Sequence, residues 1–355
     1  MTSGDLVMGM IFLWQMMAGF LGNLFLLCYY NFLYFTRYTI RSTDLILKHL
    51  TLANLLVILS KGVPQTMSAL GLKHFLGDAG CKLVFYAHRV GRGVCMGITC
   101  LLSTFQAITI CPRSSRWAEL KVQASKYLGP ANILCWILNI LVNSIVPVEV
   151  GKWSGRNGTN KRNYGFCSAE SSSRITGFLL TALFASYDIL CLGLTVWASG
   201  FMVFILHRHK HQVQHVRAAV SPTSSPESRV TRSILMLMGA FVAFYTLSFI
   251  FSLIFALSRD SGWLLINASA LITACFPTVS PFILMKRDPR LSTFCYACCK
   301  ENSFLNCSKP TDPDQSLTYL VDPETLFLTS PYEFYPTILY GDNMNNFYHC
   351  HVEQL

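Results

Sequence analysis

The chain has 355 residues, of which 52% are hydrophobic and only 13% charged, with a formal net charge of +10. Soluble domains carry about 25% charged residues, so this composition excludes an ordinary soluble globule and points to a membrane protein. The basic residues are scattered over short loops rather than clustered with aromatics, which argues against nucleic acid as a partner.

A helix needs about 20 apolar residues to cross a bilayer. Seven runs meet that need, at roughly 8–35, 44–70, 82–110, 128–150, 175–206, 233–257 and 262–285. They predict an all-α membrane protein, a seven-transmembrane-helix bundle within residues 1–300. The first run has no basic residue ahead of it and is longer than the apolar core of a signal peptide, so it reads as a span rather than a cleaved leader. The second is the most polar, with Lys48, His49, Lys61 and Gln65, but the short loops on either side keep it in the bilayer. Lys48, near its inner end, is placed to snorkel. Lys and Arg concentrate in cytoplasmic loops. The loops after runs one, three and five, with residues 286–300, hold fifteen of them, against seven for the N-terminus and the other loops. The N-terminus is therefore expected outside the cell, with the lipid bilayer as the first partner.

The third run contains "FYAHRVGRGV", residues 85–94, with His88, Arg89 and Arg92. At 3.6 residues per turn, Phe85, His88, Arg89, Arg92, Met96, Thr99, Ser103 and Gln106 share one arc of roughly 100°. The opposite side, with Val90, Val94, Ile98 and Leu102, reads as a lipid-facing back. Counted from Cys81, Arg92 lies roughly 16 Å into a core about 30 Å thick. A charge at that depth costs at least ~2.5 kcal/mol and should face the bundle or a wet cavity. Lys61 lies deep in the second run and Asp188 midway along the fifth. One ion pair with Asp188 would be structural. The surplus of positive charge suggests an outward-facing cavity that favours anionic or electron-rich small molecules, and a water-filled polar network is the alternative. The candidate ligand-binding residues are Lys61, His88, Arg89, Arg92, Met96 and Asp188.

Many of the fourteen cysteines lie within apolar runs, among them Cys28, Cys95, Cys100, Cys135, Cys191 and Cys275, where a thiol behaves as a small hydrophobe. Cys81 and Cys167 are both expected outside, where disulfides persist. A bridge would pin the loop after run four over the bundle; the alternative is two free thiols. Asn157-Gly158-Thr159 in that loop is a glycosylation acceptor. Asn267 and Asn306 also begin such triplets, but the first is too close to the membrane and the second falls on the cytosolic side. Residues 207–232 open with "HRHKHQVQH" and pass through "SPTSSPES", a basic stub of the fifth helix and a linker rather than a metal site. No metal or other cofactor is expected. Pro64, Pro147, Pro277 and Pro281 each remove a backbone donor and favour kinks; "CFPTVSPF", 275–282, is placed to act as a hinge. Then "KRDPRLSTFCYACCK", 286–300, reads as a short interfacial helix with Cys295, Cys298 and Cys299 open to palmitoylation. Residues 301–355 carry eight Asp or Glu and a single Lys, with no usable periodicity, and read as a disordered cytoplasmic tail.

The strings "GFLGN" (19–23), "STDLILKHLTLANLLVILSKGVPQTM" (42–67), "GCKLVFYAHRVGRGV" (80–94), "CLLSTFQAITICPRSSRWAELK" (100–121), "NYGFC" (163–167), "VWASGFMVFILHRHKHQVQH" (196–215) and "CFPTVSPFIL" (275–284) resemble the vomeronasal type-1 pheromone receptors, rhodopsin-like G-protein-coupled receptors. The resemblance runs from about residue 10 to about residue 300. It implies a receptor in the plasma membrane of chemosensory neurons, coupled to an inhibitory-class G protein. It implies ligands that are small social or sex cues, some of them steroid derivatives, and a glycosylated second outer loop. Arg113, Arg116, Lys121, Arg208, Lys210 and Arg232 are then candidates for contact with the heterotrimeric G protein, though solvated positive-inside charge is the preferred reading of each. The D-R-Y box of rhodopsin-like receptors is replaced by "FQAITICP" and the N-P-x-x-Y box is absent, with "SPFIL" nearby; typical members also end soon after span seven. Competing readings are a bitter-taste-like chemoreceptor and a small-solute transporter. The transporter would need paired repeats, which the sequence lacks. An enzyme would need a nucleophile–base or metal constellation at membrane depth, and His88 alone does not make one.

Overall fold

The computed structural model describes residues 3–36, 41–72, 75–111, 115–149, 161–163, 166–170, 174–216, 226–257, 263–288, 290, 291 and 294. Span one is α1 (Ser3–Phe35). Span two is α2 (Ser42–Val57), a π-helical turn (Ile58–Gly62) and α3 (Val63–Ala69). Span three is α4 (Asp78–Ile110). Span four is α5 (Ser115–Asn143), followed by the short α6 (Val146–Glu149). Two short strands, β1 (Lys161–Asn163) and β2 (Ser168–Glu170), pair antiparallel in the loop that follows. Spans five to seven are α7 (Arg174–Val216), α8 (Pro226–Leu257) and α9 (Trp263–Arg287). Among the described residues, seven helices are long and apolar enough to cross a membrane. Several outrun their apolar stretches, because a helix continues into water wherever its backbone stays bonded: α5 starts at Ser115 and α7 ends at Val216. The hairpin is a small departure from the all-helical expectation.

Helix α4 runs through the middle, packed on α2, α5 and α7. Its supposed lipid-facing back is a correction: Val90, Val94, Ile98 and Leu102 are buried, in one core with Ile46, Leu50 and Ala53 of α2. Lipid tails are as apolar as leucine side chains, so periodicity separates polar from apolar faces but not lipid from a neighbouring helix. Core hydroxyls are satisfied locally. Thr51, Thr99, Ser103 and Thr195 each donate to the carbonyl four residues back, which satisfies them within their own helices, and the Ser103 hydroxyl also meets Met238 Sδ of α8 at 2.7 Å.

Glycines set how closely α1 and α9 approach. A Cβ at Gly22 would meet Pro281 at 3.0 Å, and one at Gly19 would meet the Thr278 hydroxyl at 2.9 Å. That approach lets Asn23 repair a proline defect. In a regular helix the carbonyl of Pro277 accepts from the N–H of residue 281, which is Pro281 and has none. The Asn23 amide donates to that carbonyl instead, at 2.8 Å. Asn54 extends the network, donating to Asn23 Oδ1 at 3.1 Å and Ser280 Oγ at 2.9 Å, while Cys95 donates to Asn54 Oδ1. Buried hydrogen-bonding groups left unpaired cost about 1–3 kcal/mol each. Asn23→Leu is therefore expected to lower the melting temperature in detergent and reduce surface display; wild-type melting would show the network to be idle.

At the end of the bundle away from the hairpin, Arg290 bridges two carboxylates. It meets Asp44 at 3.1 Å and Asp288 at 2.7 Å, and the Tyr29 hydroxyl donates to Asp288 at 3.0 Å. Phe294 packs its ring on Phe25, Tyr29 and Phe32. The first residues after span seven are thus fastened to spans one and two. Burial pushes the Asp288 carboxyl up, but the hydrogen bonds and charge of Arg290, with the Tyr29 hydroxyl, outweigh it and hold the group below its usual range. A depressed carboxyl stabilises the fold above the unfolded-state value, about 3.9, and loses that contribution as pH falls through the folded value. Asp288→Asn should therefore lower melting temperature at pH 7 and flatten its decline toward acid, both readable in one pH series.

Candidate functional site

At the hairpin end, a cavity of about 100 Å³ opens between spans two, three and seven. Val84, Phe85, Ile266, Ala270 and Phe166 form its apolar walls; Ser60, Lys61, Gln65, His88 and Ser269 contribute polar groups. A smaller cavity between spans one, two and seven adjoins it and shares Lys61, Gln65 and Ala270.

The local sequence explains the presentation of Lys61. Pro64 has no N–H for the Ser60 carbonyl, and its ring crowds that carbonyl. The chain answers with the wide turn over Ile58–Gly62, and such π-bulges gather at functional sites. Lys61 sits in that turn and lines both cavities. No hydrogen bond or ion pair joins it to another described residue. Gln65, one turn on, is anchored by its amide to Asn267 Oδ1 at 3.1 Å.

The roof comes from the loop after span four. Cys81 at the head of α4 is bridged to Cys167, so the disulfide reading holds and the two-thiol alternative falls. Phe166, next to the bridge and between the two strands, is buried with both cysteines and stacks on Phe85, ring centres 5.9 Å apart. The hairpin register, Lys161 opposite Glu170 and Asn163 opposite Ser168, turns the chain at this point.

The six ligand candidates separate into groups. Lys61 and His88 line the larger cavity, and His88 Nδ1 is buried without a hydrogen-bond partner. Arg92 lies one turn deeper on α4, where its Nη2 meets Asp188 at 2.9 Å and its Nη1 donates to Ser248 at 2.7 Å. Its guanidinium also faces the Tyr245 ring at 5.4 Å. Ser248 lies 3.2 Å from the Thr273 hydroxyl, so a single arginine ties α4 to α7 and α8, and through Ser248 to α9. Its Nε is buried and unpaired. Arg89 lies over the Phe184 ring at 3.7 Å, facing span five. Met96 is fully buried in the central core. Arg89, Arg92, Met96 and Asp188 are therefore not among the cavity's lining residues.

Sequence reading missed Phe166, Ser60 and the span-seven wall of Ile266, Ser269 and Ala270. Only Phe166 carries a signal, its place beside a bridging cysteine. Lys48 lies over the Tyr34 ring at 5.3 Å, as a side chain reaching along the helix would. Of the residues offered for an inner contact, Lys121 donates to the Cys111 carbonyl at 3.0 Å, capping α4, and Arg208 is exposed. Arg116 lies in α5, Lys210 in α7 and Arg232 in α8. Arg113, Asn157, Cys295, Cys298, Cys299 and residues 301–355 lie outside the described residues. Among the described residues no group of three or more His, Cys, Asp or Glu side chains is placed to hold a metal.

Comparison with known proteins joins these features to a family. The profile of the vomeronasal organ pheromone receptor family matches residues 6–297. The chain is 58% identical over 305 residues to the human vomeronasal type-1 receptor 3, covering 85% of this chain and 97% of that protein. It is 55% identical over 292 residues to the human vomeronasal type-1 receptor 2, covering 82% and 74%. It is 30% identical over 289 residues to the olfactory receptor class A-like protein 1 of Danio rerio, covering 80% and 90%. Seven membrane-spanning helices and these relatives make it a multi-pass protein of the plasma membrane. With seven spans, a bridged loop over the mouth and a family match across nearly the whole bundle, the chain belongs to the vomeronasal type-1 receptors, chemosensory receptors of the G-protein-coupled class.

Proposed function

We propose that the chain binds a small extracellular ligand in the cavity between spans two, three and seven and activates an inhibitory-class G protein. The observation that carries this reading is the roofed cavity itself: apolar walls, a few convergent polar groups, and Phe166 held over them by the Cys81–Cys167 bridge. Concave, mostly apolar sites with few polar groups are where small ligands bind. In this reading the N-terminus and the hairpin face outward, Asn157 carries a glycan, and Cys295, Cys298 and Cys299 take palmitate on the inner side. Arg113, Arg116, Lys121, Arg208, Lys210 and Arg232 then lie at or near the face offered to the G protein. Lys61 and His88 contact the ligand, while Arg89, Arg92, Met96 and Asp188 support the wall beneath them.

Calcium imaging tests this in cells carrying the chain with an N-terminal tag and a promiscuous α-subunit. The expected result is surface staining without permeabilisation and a dose-dependent response lost in Phe166→Ala. With an inhibitory-class α-subunit in its place, receptor-driven nucleotide exchange is expected. Good staining with a transport current but no nucleotide exchange would move the chain to the transporter class.

A further inference from the structure

We infer that the cavity between spans two, three and seven is built for a short-chain carboxylate, with the carboxylate at Lys61 and a small apolar tail against Phe85 and Phe166. This rests on the reading of that cavity as the ligand site, and it names the ligand's chemistry.

Charge gives the first argument. Lys61 is the one lysine or arginine among the described residues that line the larger cavity, and no acidic residue is among them. Asp188 is already engaged by Arg92, and Arg89 lies over Phe184. An ammonium taken out of water needs a counter-charge or hydrogen-bond acceptors, and no described residue pairs with Lys61. A ligand that brings its own negative charge completes the site.

Hydrogen bonding gives the second. The Ser60 hydroxyl already donates to the Leu56 carbonyl and the Gln65 amide to Asn267. Lys61, His88 and the Ser269 hydroxyl remain, on facing spans. An ionised carboxylate is acceptor-only, with two oxygens, so it can take a donor from each of two walls. A ketone or ether has one acceptor oxygen and no charge.

Size gives the third. An engineered cavity of about 150 Å³ accepts benzene, six heavy atoms. At about 100 Å³, this one holds about four heavy atoms on that scale, and the adjoining cavity past Lys61 adds room for the rest of a propionate or butyrate. The roof is tethered through Cys167 and packed on Phe85, so the space does not grow without moving it.

The test uses the full chain purified into lipid nanodiscs, with binding read by saturation-transfer NMR. Sodium butyrate, sodium octanoate and neutral 2-pentanone are the probes. Butyrate is expected to bind saturably, with 2-pentanone weaker by about tenfold or more, the worth of one charge-assisted hydrogen bond, and octanoate weaker because its four extra carbons exceed the space. Lys61→Gln should erase the preference for butyrate over the ketone. Ala270→Leu keeps Lys61 but fills the cavity, and should lose butyrate altogether, so a poorly folding Lys61→Gln does not decide the matter. Equal binding of butyrate and 2-pentanone to the wild type, or butyrate binding indifferent to Ala270→Leu, overturns the inference. G-protein nucleotide exchange separates the two levels. Butyrate binding without exchange keeps the ligand class and removes the receptor reading; exchange driven by a neutral ligand, with no butyrate binding, does the reverse.

Discussion

Replacing Asp188 with alanine is expected to deplete the chain from the cell surface and to destabilise it by about 3–5 kcal/mol, the usual cost of breaking a buried ion pair from one side. The Asp188 side chain is only 13% exposed and that of Arg92 only 9%, so the stranded guanidinium would have little water to turn to. Arg92→Leu should do comparable damage, since it leaves the Asp188 carboxyl buried without its partner. The double replacement Arg92→Leu with Asp188→Leu should recover much of the surface level, because a well-packed apolar pair often does as well as a buried ionic one. Surface staining normalised to total protein, with melting in detergent, reads all three. Single variants at wild-type levels would mean that Arg92 holds nothing together.

Loss of the Cys81–Cys167 bridge is the second large effect. The bridge spans a sequence separation of 86 residues, for which chain entropy alone predicts about 4–5 kcal/mol. Cys167→Ser should therefore melt well below the wild type and give no ligand response, even from molecules that reach the surface. Stability and roofing can be told apart. Phe166→Ala keeps the bridge but removes the ring stacked on Phe85, so it should display normally and still bind poorly. A normal dose–response from Cys167→Ser would show that the roof is dispensable.

The spans and the bridge were legible in the sequence because each rests on a strong one-dimensional signal: twenty apolar residues in a row, or a cysteine on either side of the same mouth. Helix ends were less so. Apolar content marks where the bilayer begins, whereas α5 and α7 continue past it into charged sequence. The inward face of span three was readable in Arg92, which does face the bundle, but its partners on α7 and α8 come from sequence about one hundred residues or more away. The cavity's position was not readable. Three basic residues on one helix suggested a single pocket around them, yet Arg89 and Arg92 are engaged by Phe184, Asp188 and Ser248. The space lies toward the outer end of the same arc, beside Phe85 and His88, where small and medium side chains of span seven, Ala270 and Ser269, line it together with Lys61. Nothing in a run of ordinary apolar residues distinguishes a wall of a cavity from a wall of a core.

The wide turn at Ile58–Gly62 has a further consequence. One additional residue in a helix rotates everything beyond it by about 100°. The half of span two before the turn aims Asn54 at Asn23 and Ser280; the half after it aims Gln65 at Asn267 and the cavity. The turn works as a phase shifter between the two halves. The polar knot in mid-membrane and the ligand wall can each keep the angular setting they need, and sequence change on one side does not have to be matched on the other. A single-residue deletion within the turn would couple them again: with the knot held in place, the outer half would swing its polar face out of the cavity, in a protein that otherwise retained every side chain of the site.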